Sequence, residues 1–206
     1  MKKSKLIGAI IGVMLFSFLI VGITYAWYTW RSGNIIISGN TECFDVDYVK
    51  GKILNNESTI LFDESTIISG NQVTIKNGMA ITGLTAALNS ECTISGNINI
   101  TMTVNSLNES FNSLGDSAGA FKYILASYDP ATYNDITTET LNGVTFDIIK
   151  TESITGEGEK ALITDELSTT QKGYMFIFYV DGDLAHNSAQ DTTFTATIGA
   201  TIEQTA

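Results

Sequence analysis

Ser117 sits in Gly115-Asp116-Ser117-Ala118-Gly119, the G-x-S-x-G spacing that lifts a serine hydroxyl out of a tight turn for nucleophilic attack. His186 follows it with several aspartates between, the chain order of the α/β-hydrolase triad. Such an elbow joins a strand to a helix, whereas residues 105–119 are rich in Asn, Ser and Gly and read as a loop. No catalytic residue is assigned, and His186, within Leu184-Ala185-His186-Asn187-Ser188, reads as an exposed loop residue. Gly156-Glu157-Gly158-Glu159-Lys160-Ala161 has the spacing of a dinucleotide fingerprint, but its two glutamates repel the pyrophosphate that such a loop must cradle. It reads as an acidic turn, and no cofactor is expected. The acidic pairs Asp45/Asp47 and Asp181/Asp183 could join around a calcium ion, which takes six to eight oxygens. Neither pair has EF-hand spacing, the zinc-protease pattern H-E-x-x-H is absent, and no metal ligand is assigned.

The remaining reactive side chains are two cysteines, Cys43 and Cys92. In an oxidising compartment a bridge between them closes a loop of about 50 residues, worth roughly 4 kcal/mol in the chain-entropy account. The alternative is two buried thiols acting as small hydrophobes. Parity sets a condition on the bridge, because Cys43 shares a face with Asp45 and Asp47 while Cys92 shares one with Ile94 and Ile100. A bulge or a sheet edge is needed at one end.

The elements that must position these residues are strands. In residues 94–104, Ile94, Ile98, Ile100, Met102 and Val104 alternate with Asn97, Asn99, Thr101 and Thr103. Near the C-terminus Phe194, Ala196, Ile198, Ala200 and Ile202 alternate with Thr195, Thr197, Gly199, Thr201 and Glu203. Shorter alternations at Phe44/Val46/Tyr48, Val73/Ile75, Phe121/Tyr123/Leu125 and Val144/Phe146/Ile148 bring the count to eight or nine strands. Tyr174-Met175-Phe176-Ile177-Phe178-Tyr179-Val180 has no polar face, which predicts a central strand buried on both sides. Turns are predicted at Ser69-Gly70-Asn71, Lys76-Asn77-Gly78 and Leu141-Asn142-Gly143, the last two as hairpins because Asn-Gly tolerates positive φ. Residues 106–120 and 162–172 have room for one short helical turn each. This pattern predicts an all-β, antiparallel two-sheet sandwich of jelly-roll or immunoglobulin-like type, preceded by an N-terminal hydrophobic leader helix.

The leader occupies residues 1–26. Lys2, Lys3 and Lys5 precede an uncharged apolar run that ends at Thr24-Tyr25-Ala26, with small residues at minus three (Thr24) and minus one (Ala26) where a signal peptidase can cut between Ala26 and Trp27. An uncleaved membrane anchor over residues 6–26 is the alternative, since about 20 apolar residues span a bilayer. Both readings place residues 27–206, taken as one sandwich domain, outside the membrane, secreted or at the cell surface. The chain has 11 Lys+Arg against 22 Asp+Glu, and removing the leader lysines leaves 8 against 22, a net charge of −14. That surface repels phosphate backbones, so no nucleic-acid partner is expected.

The junction Gly22-Ile23-Thr24-Tyr25-Ala26-Trp27-Tyr28-Thr29-Trp30, the run from Cys43 to Tyr48, and the segments 174–182 and 194–204 resemble those of the SipW-dependent exported proteins of Gram-positive bacteria, of the TasA and camelysin type. The resemblance is to patterns over about half of the chain. It implies a jelly-roll domain at the cell surface or in a biofilm matrix, some members of which polymerise into fibres by donating an N-terminal strand. Ile35, Ile36 and Ile37 are the donor candidates here, and their other reading is the first strand of the chain's own sandwich. Camelysins have been classed as metalloproteases, but one histidine and no zinc motif supply nothing to carry that activity over. The expected function is that of a non-catalytic structural or adhesive protein whose partners are other copies of itself or the matrix. An extracellular binding module for glycan, peptide or calcium, using loops such as residues 181–190, is the alternative, and a secreted hydrolase a more remote one.

Overall fold

The computed structural model describes residues 29–32, 36–38, 43–49, 61–91, 95–189 and 193–205. The leader, the junction of Ala26 and Trp27, Ile35 and Cys92 lie outside them. In chain order the elements are β1 (Thr29–Ser32), β2 (Ile36–Ser38), β3 (Phe44–Val49), β4 (Leu61–Phe62), α1 (Glu64–Ile67), β5 (Ile68–Ser69), β6 (Gln72–Thr74), β7 (Ala80–Leu88), β8 (Ser95–Ser106), β9 (Phe121–Tyr128), α2 (Thr138–Leu141), β10 (Thr145–Ser153), β11 (Gly158–Glu166), β12 (Lys172–Asp181) and β13 (Thr193–Thr205). They form two mostly antiparallel sheets. A five-stranded sheet runs β1-β13-β8-β11, with β2 further along β13, and an eight-stranded sheet runs β3-β7-β12-β9-β10-β6-β5, with β4 at the end of β12.

The alternation in the sequence dictates how the sheets meet. Ile98, Ile100, Met102 and Val104 of β8 and Phe194, Ala196, Ile198 and Ala200 of β13 point inward. They meet Phe121, Tyr123 and Leu125 of β9 and Tyr174, Phe176, Phe178 and Val180 of β12, all buried in one cluster. Each large apolar side chain so removed from water contributes about 1.5–3 kcal/mol, before the entropy of ordering it is subtracted. The Phe121 and Phe194 rings meet edge-on with centroids 4.4 Å apart, joining the two sheets. The outward residues of β8, Asn97, Asn99, Thr101 and Thr103, stay half-exposed, so this sheet is wet on one face.

Along β7, β9 and β12 the eight-stranded sheet is buried on both faces. Behind it Met175, Ile177 and Tyr179 of β12 and Ile124 and Ala126 of β9 cluster with Val73 of β6 and with Ile67, Ile75, Met79, Ile136 and Leu141, which come from the segments connecting the longer strands. This second core is why residues 174–180 tolerate no polar side chain, and β12 is the central strand that this run predicts.

Three local expectations change. Both Asn-Gly sites are turns, but neither closes a hairpin: Asn142 has φ −56° and ψ 121°, Gly143 has φ +83°, and Val144 N–H donates to Leu141 O at 2.8 Å. That is a type II turn, whose twist does not match paired strands, and it delivers the chain from α2 into β10. The two-residue hairpin is instead at Gly70-Asn71 between β5 and β6, with Gly70 at φ +61°. Residues 162–172 contain no helix; they continue β11 and then a loop, because the segment pairs with β8 through to Glu166. Residues 106–120 do contain one short turn, a 3₁₀ helix at Glu109–Phe111 capped by the Asn108 side chain.

Candidate functional site

The edge of β13 is the feature most directly tied to the N-terminus. This strand is 13 residues long, contains no proline, and has Glu203 as its single charge. Its ladder with β8 shifts register once, between Thr195 and Ala196, and is regular from there to Thr205. A long alternating strand with so little charge is a template for pairing with another chain unless something covers it. Here β1 and β2 cover it in parallel, with Thr29 opposite Thr193, Ser32 opposite Ala196, and Ile36 opposite Gly199. Between Ser32 and Ile36 the covering segment takes four steps where β13 takes three, so it carries one extra residue. The fit is interrupted in the middle, and parallel pairing is slightly weaker per residue than antiparallel. Ile36 and Ile37 thus lie on the sheet of their own chain, while Ile35 lies outside the described residues.

The other edges are guarded differently. β11 carries Glu159, Lys160, Asp165 and Glu166, and its register with β8 shifts between Ala161 and Ile163, a bulge that bends the edge away from a flat template. β3 is short and turns Asp45 and Asp47 to solvent, and β5 is two residues long.

The chemically suggestive residues are not brought together. Ser117 is fully buried, and its hydroxyl accepts the backbone N–H of His186 at 2.9 Å, so it ties two loops together and does not face solvent. The imidazole of His186 is not the group that reaches it. Gly156 and Gly158 belong to the turn entering β11, where Glu157 accepts the N–H of Leu107 at 3.3 Å. The two acidic pairs lie at opposite ends of the eight-stranded sheet: Asp45 is registered with Ala87 beside the start of β12, and Asp181 ends that strand. Nine residues of extended chain separate them by about 30 Å, so no single calcium ion spans both. Among the described residues no group of three or more His, Cys, Asp or Glu side chains is placed to hold a metal.

Cys43 is disulfide-bonded and packs on the main core just before edge strand β3. The N–H of Asn89, leaving β7, donates to Cys43 O at 2.9 Å. The sheet edge that parity demands is present at this end.

Three polar clusters were not anticipated, and each sits where a charged side chain interrupts apolar strands. Lys122 lies between Phe121 and Tyr123 on β9 and pairs with Glu64 of α1 and, at 2.8 Å, with Asp181. Burial works against its charge, but hydrogen bonds to Asp181 and Glu64 outweigh it and raise its pKa. Tyr179 donates to Glu64 at 2.9 Å, and burial followed by that bond pushes the phenol far above its ordinary range. At the other end of β12 Tyr174 and Lys172 both donate to Asp165, at 2.7 and 2.9 Å, and despite partial burial its carboxyl is held below the ordinary value. Glu152 is held low against burial in the same way, by Lys150 and Tyr123. An open polar cleft of about 1010 Å³ lies among the loops, bordered by Glu109, Asn112, Asp116, Glu157 and Ser188.

No protein-family model, curated protein or solved structure matches this chain.

Proposed function

We propose that this chain is a non-catalytic structural protein of the cell surface or extracellular matrix, exported by its leader and assembling through the β13 edge. One observation carries the reading: among the described residues, the long, nearly uncharged β13 edge is covered by β1 and β2, the segment that directly follows the leader. A segment that pairs in parallel, with one residue out of step, can leave its own β13 and pair with that of a neighbour at little net cost, because the bonds lost and gained are alike. Repeated head to tail, such a heterologous contact builds an open filament.

The leader resembles those cut by the specialised peptidase of the TasA and camelysin type, and cutting between Ala26 and Trp27 would free the segment to exchange. Membership of that group, a jelly-roll strand order, and a Cys43–Cys92 bridge belong to the same proposal. A retained leader would tether the sandwich and limit exchange to neighbours on one membrane. The polar loop cleft favours one second reading, an extracellular module that binds a glycan or peptide there.

Electron microscopy of the purified chain starting at Trp27 separates the two. Filaments that appear as concentration rises are expected; monomers that persist at high concentration would leave only the binding module.

A further inference from the structure

The Lys122 cluster has an arrangement that an ordinary ion pair does not need. Lys122 and Asp181 lie on neighbouring strands and on one face, with Lys122 directly opposite Tyr179 and Asp181 two residues further along β12. Their side chains are 16% and 6% exposed, and Lys122 Nζ is 2.8 Å from Asp181 Oδ2. The carboxyl is fixed from its other side as well, since Asp183 N–H donates to Oδ1 at 3.1 Å, and the Asp181 backbone is held to β9's entry by its N–H donating to Ala120 O at 2.8 Å. Glu64, in the first turn of α1, touches the same Nζ and is held by the Tyr179 hydroxyl at 2.9 Å. An amine, a carboxyl carbon one bond beyond its contact atom, a donor on the remaining oxygen and a second carboxylate on the amine are the parts that amide formation requires.

We propose that Lys122 and Asp181 condense into an intramolecular amide that cross-links β9 to β12, with Glu64 relaying the proton. The ammonium first passes a proton along its hydrogen bond to Asp181 Oδ2, leaving a neutral amine beside a carboxylic acid. The nitrogen lone pair attacks Cγ, the N–C bond forms, and the negative charge gathers on Oδ1 against the Asp183 N–H. Glu64 takes a proton from the nitrogen and returns it to the departing Oδ2 hydroxyl, which leaves as water. Atoms and charge balance, and no other reactant is needed. Tyr179 acts as a positioning residue, because it holds Glu64 and touches neither reacting atom. The two carboxylates that orient Lys122 also favour its charged form, so the ion pair is the starting state and the bond accumulates slowly after folding. The link spans 59 residues and fixes the doubly buried central strand pair of the eight-stranded sheet against being pulled apart. It is internal to one chain and does not depend on strand exchange.

Mass spectrometry of the folded chain, aged for days at neutral pH and then reduced, tests this. The expected mass is about 18 Da below the sequence mass, one water, with a tryptic fragment in which Lys122 is uncut and joined to the peptide containing Asp181. Lys122→Arg should restore the full mass, and Glu64→Gln should slow accumulation at least about tenfold. Asp181→Asn should still cross-link, losing about 17 Da because ammonia leaves in place of water. A wild-type chain that keeps its full mass would overturn the proposal. So would a loss of water that persists in Lys122→Arg, since a succinimide at Asp181-Gly182 gives the same loss without any cross-link.

Discussion

Along β11 four of nine residues are charged; along β13 one of thirteen is charged, and the strand is flanked instead by a second segment of the same chain, while both strands shift register once against β8. Both strands border β8, and both send apolar side chains into one core. The difference therefore does not come from what holds the sheet together. It lies in how each edge is kept from pairing with a stranger. Charges deny pairing permanently, whereas a covering strand denies it only while it stays in place. On the proposed assembly, β13 is the edge that reopens and β11 the edge that stays closed.

The largest effect should come from an edge of the other sheet, β3, where Cys43 is bridged. Peptide mapping without reduction should find Cys43 joined to Cys92, and Cys43→Ser should lower the unfolding free energy in urea by up to about 4 kcal/mol. Free thiols at both positions in the purified folded chain would overturn the bridge.

Exchanging the two guards should alter association far more than stability. Glu159→Thr with Glu166→Thr strips exposed charge from β11, and light scattering should then report edge-to-edge association that the wild type lacks at that edge. Thr201→Lys places a charge on β13 opposite Ser38, and filaments should form more slowly. Unfolding free energies should move by no more than about 0.5 kcal/mol in either case, because the positions are exposed. Equal association by both variants would erase the distinction between the edges.

A smaller effect follows from acid. The Asp165 carboxyl on β11 titrates below its ordinary value of 3.8, so its contribution to stability is complete above that value in the folded chain and is lost as pH falls below it. Glu152 on β10 is depressed below 4.5 and acts in the same direction. Melting temperature should drop as pH is lowered from 4 toward 2, and Asp165→Asn should flatten that drop. A drop of unchanged steepness in the variant would place the acid sensitivity elsewhere.

Most of the strands were legible because alternation is a local property. Residues 94–104 and 194–204 state their inward face outright, and residues 174–180 state that they have no outward one. The second core was not legible, since Ile67, Ile136 and Leu141 come from connections with no period of their own and are brought together with β12 only by the fold. The turn type at Asn142-Gly143 was hidden for a related reason: the dipeptide permits several turns, and the exit from α2 selects one. The Lys122 cluster left a trace that was missed, a lysine between two aromatics on one strand and an aspartate closing an apolar run on its neighbour. Only the pairing of β9 with β12 puts the two side by side. Likewise the sequence of β13 announces a strand wet on one face, and nothing local tells that β1 and β2 lie along it in parallel.

The most direct test of the account uses a chain that begins at Gly39, together with a synthetic peptide of residues 27–38. The account predicts that the shortened chain folds, with the β-sheet circular dichroism of the parent, forms no filaments, and binds the peptide at one site. Thr201→Lys should weaken that binding. A shortened chain that cannot fold, or one that folds and ignores the peptide, would mean that β1 and β2 are a fixed part of their own sandwich and that the β13 edge does not exchange strands.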